Sequence, residues 1–225
     1  DDFTITKTGE AQNGVIAFSS APDFETKTAY SLNVVVSDGT NTTTEAIVVN
    51  VTNVNDNSPA LTVNTPYSVA EGTTAVGTVT TTDGDAGTTT FTYSLSGTDA
   101  DDFTITKTGE AQNGVITFDA APDFETKTAY SLNVLVSDGT NTTTEAIVVN
   151  VTNVNDNSPV LSVATPYSVA EGQTAVGTVT TTDGDAGTTT LTYSLTGTDK
   201  DDFTITKTGE AQNGVIAFSS APDFE

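Results

Sequence analysis

Apolar and polar residues alternate along several stretches of the chain. Two stretches show apolar residues at every second position: Tyr130, Leu132, Val134 and Val136 in YSLNVLVSDG, and Ile147, Val149 and Val151 in EAIVVNVTN. A period of two sends successive side chains to opposite faces of a β-strand, so both stretches are predicted strands with one buried face. Five further segments are predicted as short strands: YSVAEG, TAVGTVTTTD, TTTFTYSLSG, DDFTITK and GVITFDA.

The segments between these strands are rich in Gly, Asp and Asn, which favour turns. Asn113-Gly114 is a strong signal for a hairpin. The β-branched residues Thr and Val fill the strands, and no segment has the spacing of an amphipathic helix. Seven short strands in about 100 residues predict an all-β Greek-key β-sandwich. A β-solenoid is the main alternative, but the Gly-rich nonapeptide of calcium-binding β-helices is absent.

The sequence repeats with a period of 100, because DDFTITKTGEAQNGVI begins at residues 1, 101 and 201. Residues 1–125 and 101–225 are identical at roughly nine positions in ten. We therefore predict tandem domains: the C-terminal part of a first copy (1–58), a complete second copy (59–158) and the N-terminal part of a third copy (159–225). Because the chain opens and closes inside a copy, we expect it to be an excerpt from a longer array.

The net charge of the chain and its lack of Cys and His disfavour several classes of partner and of chemistry. Thirty acids face six bases, for a net charge of −24, which disfavours nucleic acid and anionic membrane as partners. The chain has neither Cys nor His, so a metal would be held by oxygen, as calcium prefers and zinc rarely accepts. Without a His base or a Cys nucleophile, we predict that the chain is not an enzyme. No apolar run is long enough for direct membrane insertion.

The acids are concentrated beside turns, at the ends of the predicted strands. They occur in VAEG, TDGDAG, PDFE, VSDG and NDNSP. Carboxylates that gather without basic partners repel one another by about 1–4 kcal/mol per close pair. Such a cluster indicates either a bound cation or extensive solvation, and on composition alone the second interpretation stays open. Adaptation to a salty environment is a further explanation of the same acidity.

The order of these motifs resembles cadherin repeats, particularly the cadherin-like repeats of bacterial surface proteins. Glu71-Gly72 follows the first strand, Asp83-Gly84-Asp85 forms a DxD loop, PDFE precedes YSLNVLVSDG, and NDNSP closes the copy. The resemblance covers the second copy and both partial copies. It implies cadherin- or immunoglobulin-like sandwich domains joined by linkers that bind Ca²⁺, with two to three ions at each joint.

The resemblance also implies which residues hold these ions. At the joint around residues 153–157, the ligands would be Glu71, Asp123, Glu125, Asn153, Asn155, Asp156, Asn157, Asp183 and Asp185. At the joint around residues 53–57, they would be Asp23, Glu25, Asn53, Asn55, Asp56, Asn57, Asp83, Asp85 and Asp138. Backbone carbonyls of the linkers would supply further oxygens, and Pro59 would stiffen the chain as it enters the next strand.

Two features affect the expected ion count. The family's linker usually opens with Asp, whereas this chain has Asn53 and Asn153, which lowers the charge of the central site. The glutamate of the EG motif is missing from the first joint and the aspartate of the SDG motif from the second, so we expect incomplete sites there. Glu171, Asp223 and Glu225 would serve a third joint.

These observations predict a calcium-rigidified extender in an extracellular or cell-surface protein, of the kind found in bacterial adhesins. Its partners would be further copies of the same repeat. The alternative is that the repeats themselves mediate calcium-dependent adhesion, through homophilic or glycan contacts, or assemble into an extracellular fibre. The chain has no Trp, the residue that commonly anchors such contacts, which favours the extender.

Overall fold

The protein is all-β, as the alternation predicts. The structure is a computed structural model that describes residues 1–9, 13–85, 87, 90–109, 112–185, 190–208 and 213–225. Within those ranges the only helical segments are two short 3₁₀ turns, Ala100–Asp102 and Lys200–Asp202. None of the described helical segments has the length and apolar character that crossing a bilayer requires.

Sixteen strands are found in the described part of the chain. In the first copy they are β1 (Phe3–Thr8), β2 (Asn13–Phe18), β3 (Ala29–Ser37) and β4 (Thr42–Asn50). In the second copy they are β5 (Ala60–Thr62), β6 (Tyr67–Ala70), β7 (Ala75–Thr82), β8 (Thr92–Ser96), β9 (Phe103–Thr108), β10 (Asn113–Phe118), β11 (Ala129–Ser137) and β12 (Thr142–Thr152). In the third copy they are β13 (Val160–Ser162), β14 (Ala175–Thr182), β15 (Phe203–Thr208) and β16 (Asn213–Phe218).

The second copy is a Greek-key sandwich of two four-stranded sheets, with strand orders β5-β7-β10-β9 and β6-β12-β11-β8. It has eight strands rather than the predicted seven, because its first strand is divided between the sheets. Ala60–Thr62 runs antiparallel to β7, whereas Tyr67–Ala70 runs parallel to β12. Pro66, which has no N–H to donate, lies in the segment that separates the two. Thr88 and Thr89, the first residues of the expected strand TTTFTYSLSG, lie outside the described residues.

The alternating apolar residues of the second copy form its core. Val134 and Val136 on β11 are fully buried, and so are Ile147 and Val149 on β12 and Ile116 on β10. Their neighbours in sequence are exposed or half-buried, so each strand has one buried face. The period of two therefore predicted the faces of these strands correctly.

The hairpin indicated by Asn113-Gly114 is present, since β9 and β10 are neighbours, but both residues belong to β10 rather than to the turn. The chain reverses before them, where Gly109 has a φ of 71° and Gln112 a φ of 54°. The reason for a glycine at 114 is close packing. A Cβ at Gly114 would lie 2.8 Å from Ile105 Cδ1 and 2.8 Å from Val79 Cγ2.

Identical segments adopt different structures in different copies. YSVA forms a strand at residues 67–70, where it pairs with β12, but the same letters at residues 167–170 form none. Strands β3 and β4 of the first copy form a sheet of two strands, whereas their counterparts β11 and β12 lie in a sheet of four. Pairing with neighbouring strands, rather than local sequence, decides whether these segments are strands.

By its contacts the chain divides into two compact units, and each contains one linker. The first unit comprises Asp1–Thr65, Val76–Thr117 and Ser131–Val148, and the second comprises Pro66–Ala75, Phe118–Tyr130 and Val149–Glu225. Residues 53–57, the first linker, belong to the first unit, and residues 153–157, the second linker, belong to the second. The two candidate sites can therefore be described separately.

Candidate metal centre

Beside the first linker, three carboxylates converge from two loops. Asp83 and Asp85 follow β7, Asp138 follows β11, and one carboxylate oxygen from each lies within 4.8 Å of the others. The backbone N–H of Asp85 donates to Asp83 Oδ1 at 2.9 Å, which fixes the loop locally. Gly84 leaves room for the linker, because a Cβ there would lie 3.2 Å from Asn57 Cγ.

Asp138 is held as an anion by its own turn. Its Oδ1 accepts hydrogen bonds from the backbone N–H groups of Thr140 (2.7 Å) and Asn141 (2.6 Å). Burial raises the pKa of the Asp138 carboxyl, but these N–H groups outweigh that effect and leave the pKa below its ordinary value.

One carboxylate oxygen of Asp83 is buried without a hydrogen-bond partner. This atom is Oδ2, and the equivalent atom of Asp183 is in the same condition. Burial raises the pKa of Asp83, the backbone N–H of Asp85 opposes this, and the charge of Asp85 adds to the increase. Buried polar oxygens almost always have a partner, and a cation or an ordered water would supply one at both atoms.

A second group at the first linker shares Asp85 with the first group. Oxygens of Glu25, Asp56 and Asp85 lie within 4.8 Å of one another. Asn57 holds Asp85 in place, since its backbone N–H donates to Oδ2 (3.2 Å) and its side-chain amide to Oδ1 (3.0 Å). One carboxylate that serves two adjacent groups is suited to bridging two ions.

Asn55 lies between the carboxylates of Asp85 and Asp138. One polar atom of its amide group is 3.0 Å from Asp138 Oδ2 and 3.1 Å from Asp85 Oδ2. If that atom is the nitrogen, it donates to both carboxylates; if it is the oxygen, three oxygens converge on one point. A cation at this point would favour the oxygen, and its absence the nitrogen.

At the second linker, Glu71 connects the turn after β6 to the linker backbone. The side chain is 6% exposed, its Oε2 accepts from the N–H of Phe124 (2.8 Å) and its Oε1 from the N–H of Val154 (2.6 Å). Oxygens of Glu71, Asp123 and Glu125 lie within 4.8 Å of one another. These residues line a polar cleft together with Gly72, Pro122, Asp156 and Asn157.

Glu125 also belongs to a second group at this linker, with Asp156 and Asp185. Burial raises the pKa of Glu125 and of Asp156, and the charges of Glu71, Asp185 and Asp123 raise both further. Burial also raises the pKa of Asp185, but hydrogen bonds from Asn157, led by its side-chain amide, leave it below the ordinary value. The group therefore contains one carboxylate that is favoured as an anion and two whose charged form is disfavoured by burial and by neighbouring acids.

Asp23 and the linker asparagines lie outside these carboxylate groups. Asp23 is in none of the carboxylate groups found among the described residues; its oxygens accept from Glu25 N (2.9 Å) and from the hydroxyl of Thr26 (2.9 Å). Of the other linker asparagines, Asn53 and Asn155 are exposed and Asn153 is half-buried. Only their amide or backbone oxygens could take part, because no carboxylate is present there.

Two residues beside the first linker were not predicted. The side-chain amide of Asn141 donates to the carbonyl oxygen of Asn57 (2.8 Å), and the hydroxyl of Thr143 donates to that of Pro59 (2.6 Å). Pro59 is fully buried, so the linker is anchored where it enters the second copy. Both residues lie in the repeated SDGTNTTT motif, of which only the aspartate is a predicted ligand.

The arrangement favours calcium over other metals. Each group offers only carboxylate oxygens, with amide and carbonyl oxygens nearby, and there is no imidazole or thiolate in the chain. Calcium takes six to eight such oxygens in flexible geometry, more than one group of three carboxylates supplies. Linker asparagines and carbonyls are close enough in sequence to provide the rest.

A family profile, described as the Cadherin domain, matches residues 65–152. These residues form a cadherin-like domain. The match lies inside residues 59–158, the copy expected to be complete. It includes Glu71, the loop with Asp83 and Asp85, Glu125 and Asp138, so the resemblance noted from the motifs is confirmed for this copy.

Similar proteins extend the cadherin likeness along the chain. The Fat-like cadherin-related tumor suppressor homolog of Drosophila melanogaster is 33% identical over 238 residues, which cover 99% of this chain and 5% of that protein. The crystal structure of the protocadherin gammaB4 extracellular domain matches with a TM-score of 0.73 and 24% identity, over 99% of this chain and 37% of that one. A protocadherin gammaB7 EC3-6 cis-dimer structure matches with a TM-score of 0.68 and 22% identity, over 99% and 58%. At these identities the solved structures show the fold alone.

Proposed function

We propose that this chain binds calcium at its two linkers and that the bound ions set the geometry of each joint. The observation that supports this most strongly is the pair of carboxylate groups that share Asp85, beside the unpartnered buried oxygen of Asp83. Without a cation, these negative charges repel one another at neutral pH. A divalent ion turns that repulsion into attraction between segments on both sides of the linker.

The groups suggest how many ions each joint takes. Glu25, Asp56 and Asp85 at the first linker correspond to Glu125, Asp156 and Asp185 at the second, so this group occurs twice. Among the described residues, the group with Asp138 is found at the first linker and the group with Glu71 at the second. We infer two ions per linker in this chain, and three where a joint has both flanking motifs. Asn53 and Asn153 lower the charge of the third.

The proposed role is mechanical. An array of sandwiches joined by short flexible linkers bends freely, whereas ions held by the linker and by both neighbouring copies fix one preferred angle. Binding to the native state alone also stabilises it, by about 2.7 kcal/mol per site at a calcium concentration 100 times the dissociation constant. Extracellular calcium modules bind in about the 10⁻⁴–10⁻³ M range, where such an extender would be saturated outside a cell.

Calorimetric titration with calcium tests the sites. We expect about four ions per chain, and a loss of about two of them in Asp85→Asn, because that side chain serves both groups at the first linker. Asp101→Asn is the matched control, since Asp101 is exposed and belongs to none of the described carboxylate groups. A stoichiometry of one ion per linker or fewer, or equal losses in the two variants, would count against the proposal.

Small-angle scattering tests the mechanical role. The maximum dimension should be larger and better defined in calcium than in chelator, and Asp85→Asn should show the chelator behaviour at one joint even in calcium. An unchanged dimension would reject the extender function while leaving the calcium sites intact.

The finer parts of the function rest on the resemblance. The chain spans about 5% of the length of its curated cadherin relative, and that relative is an animal protein. A bacterial cell-surface or secreted origin and an adhesin tip stay predictions, and the full-length sequence tests them. Adhesion by the repeats themselves is the second candidate. It is favoured by one neighbour being a cis-dimer, whereas a glycan partner has no structural support.

A further inference from the structure

The turn after β11 contacts the first linker through two side-chain donors. The amide of Asn141 donates to the carbonyl oxygen of Asn57 (2.8 Å), and the hydroxyl of Thr143 donates to that of Pro59 (2.6 Å). Asn141, Asn57 and Thr143 are half-buried, and the turn and the linker belong to the same compact unit. The start of the second copy is therefore tied to the turn that carries Asp138.

The hydrogen bond of Asn141 continues to a second carboxylate. Asn57, which accepts it, donates in turn to Asp85, from its backbone N–H to Oδ2 (3.2 Å) and from its side-chain amide to Oδ1 (3.0 Å). At the other end, the backbone N–H of Asn141 donates to Asp138 Oδ1 (2.6 Å). A chain of hydrogen bonds thus joins Asp138 to Asp85 through two neutral residues.

Asp85 and Asp138 are two of the three acids in one candidate ion site. One oxygen of each lies within 4.8 Å of the other and of an oxygen of Asp83, and Asp85 and Asp138 are only 8% and 9% exposed. Without a cation their charges repel one another and favour a wider spacing. Hydrogen bonds that hold both carboxylates oppose this separation, so less freedom is lost when an ion binds.

The hydrogen bond of Thr143 has no such continuation. Pro59 accepts it, but Pro59 has no N–H and no polar side-chain atom with which to hold another residue. Both bonds fasten the linker to the turn, and only the bond of Asn141 leads on to a carboxylate. The two bonds can therefore be compared directly.

We propose that Asn141 is a positioning residue of the calcium site at the first linker. Its amide fixes the carbonyl of Asn57, and through Asn57 it keeps Asp85 at a distance from Asp138 that one ion can span. The amide nitrogen acts as a donor and not as a ligand. The role of Asn141 toward calcium rests on the proposed function, whereas the ordering of Asn57 without metal does not.

A calcium titration followed by amide NMR signals tests the positioning. The N–H of Asn57 donates to Asp85, and the N–H of Asn157 donates to Asp185 (3.2 Å to Oδ2), so these two signals report the two linkers separately in one sample. In Asn141→Ala we expect the dissociation constant read at Asn57 to rise by about 10–100-fold, as is typical when a residue that orients a metal ligand is lost. The constant read at Asn157 should not change.

Two variants serve as controls. Thr143→Val removes the other bond to the linker and should lower the stability of the chain while the calcium affinity read at Asn57 is kept. Asn41→Ala makes the same change in the identical SDGTNTTT motif of the first copy, where Asn41 is exposed and Asp38 is in none of the carboxylate groups found among the described residues. Affinity lost equally in Asn141→Ala and in Thr143→Val would indicate a general loss of folding and would overturn the proposal.

Hydrogen exchange in chelator tests the same bond without metal. The N–H of Asn57 should exchange slowly in the unmodified chain, because Asp85 accepts it and Asn141 holds its residue in place. In Asn141→Ala we expect exchange roughly tenfold faster, the factor that corresponds to about one hydrogen bond. Equal exchange rates in the two chains would mean that Asn141 does not order Asn57, and would overturn the proposal.

The outcome of the titration separates the proposed function from the role of Asn141. If the unmodified chain shows no calcium-dependent shift at Asn57 or Asn157, the proposed function is wrong and the calcium role of Asn141 is wrong with it. If that chain titrates as expected and Asn141→Ala titrates in the same way, the calcium sites stand and Asn141 is not a positioning residue.

Discussion

The carboxylate of Glu71 accepts a hydrogen bond from the backbone N–H of Val154 at 2.6 Å, and thereby joins the turn after β6 to the second linker. The same carboxylate accepts from the N–H of Phe124 at 2.8 Å. A residue predicted only as a calcium ligand is therefore also a structural acceptor for two backbone groups, and this second role does not depend on a metal.

The first prediction follows from that dual role. Glu71→Ala leaves two backbone N–H groups without their acceptor, and each unsatisfied buried group costs about 1–3 kcal/mol. We expect a clear loss of stability in chelator as well as in calcium, measured by chemical unfolding. Glu171→Ala is the matched control, since Glu171 occupies the same motif but is exposed, and it should have little effect. A loss seen only in calcium would show that Glu71 acts through the metal alone.

The second prediction concerns Gly114. In Gly114→Ala the new Cβ would lie 2.8 Å from both Ile105 Cδ1 and Val79 Cγ2, inside a core where Val79 is fully buried. Overpacking of this kind typically costs about 1–3 kcal/mol. Gly14→Ala is the control, because its Cβ would meet only the Ile5 side chain, at 3.0 Å, and Ile5 is 58% exposed. Equal destabilisation by the two changes would contradict the packing explanation.

The strands and their buried faces could be predicted because alternation in sequence maps directly onto alternation across a pleated strand. Ile147 and Val149 illustrate this, since both are buried as their spacing requires. The division of the first strand between two sheets could not be predicted from Ala60–Thr62, a strand of three residues. Neither could the behaviour of YSVA, which is a strand at 67–70 and not at 167–170, because the neighbouring strand decides.

The carboxylates of the candidate site could be predicted because each of them lies in a short, recognisable sequence motif. The convergence of Asp83, Asp85 and Asp138 was expected from the resemblance and is present in the structure, although their role as ligands stays a prediction. The supporting hydrogen bonds of Asn141 and Thr143 were not expected. Their partners are backbone carbonyls of Asn57 and Pro59, which no side-chain pattern reveals.

The third prediction concerns Asn55, which lies 3.0 Å from Asp138 Oδ2 and 3.1 Å from Asp85 Oδ2. Asn55→Asp replaces a neutral amide by a third negative charge at this point. In chelator the added repulsion should destabilise the chain by about 1–4 kcal/mol, and in calcium the same charge should tighten binding. We therefore expect this variant to be less stable without metal, measured by thermal unfolding, and to bind calcium more tightly, measured by calorimetry.

Asn50→Asp is the control for this change, because Asn50 is exposed at the end of β4 and should shift neither quantity appreciably. If Asn55→Asp weakened calcium binding, the amide would be a hydrogen-bond donor to the carboxylates and not a neighbour of the ion.

The last prediction is a pH dependence that changes sign with calcium. Asp83, Glu125 and Asp156 have raised pKa values in the folded chain, against ordinary values of 3.8 for Asp and 4.5 for Glu. A group that binds its proton more tightly when folded stabilises the fold below its ordinary pKa, and this contribution is lost as pH rises through the raised value. In chelator, the unfolding temperature should therefore rise as pH falls from neutral toward the ordinary carboxylate range.

Asp138 and Asp185 do not reverse this trend within that window. Their pKa values are lowered, so their contribution is present above 3.8 and is lost only as pH falls through the lowered values. In calcium the slope should be opposite, because protons compete with the ion for the same oxygens and the stabilisation by binding declines on acidification. Thermal unfolding at a series of pH values, in calcium and in chelator, measures both slopes. Parallel curves in the two conditions would mean that these carboxylates do not share an ion.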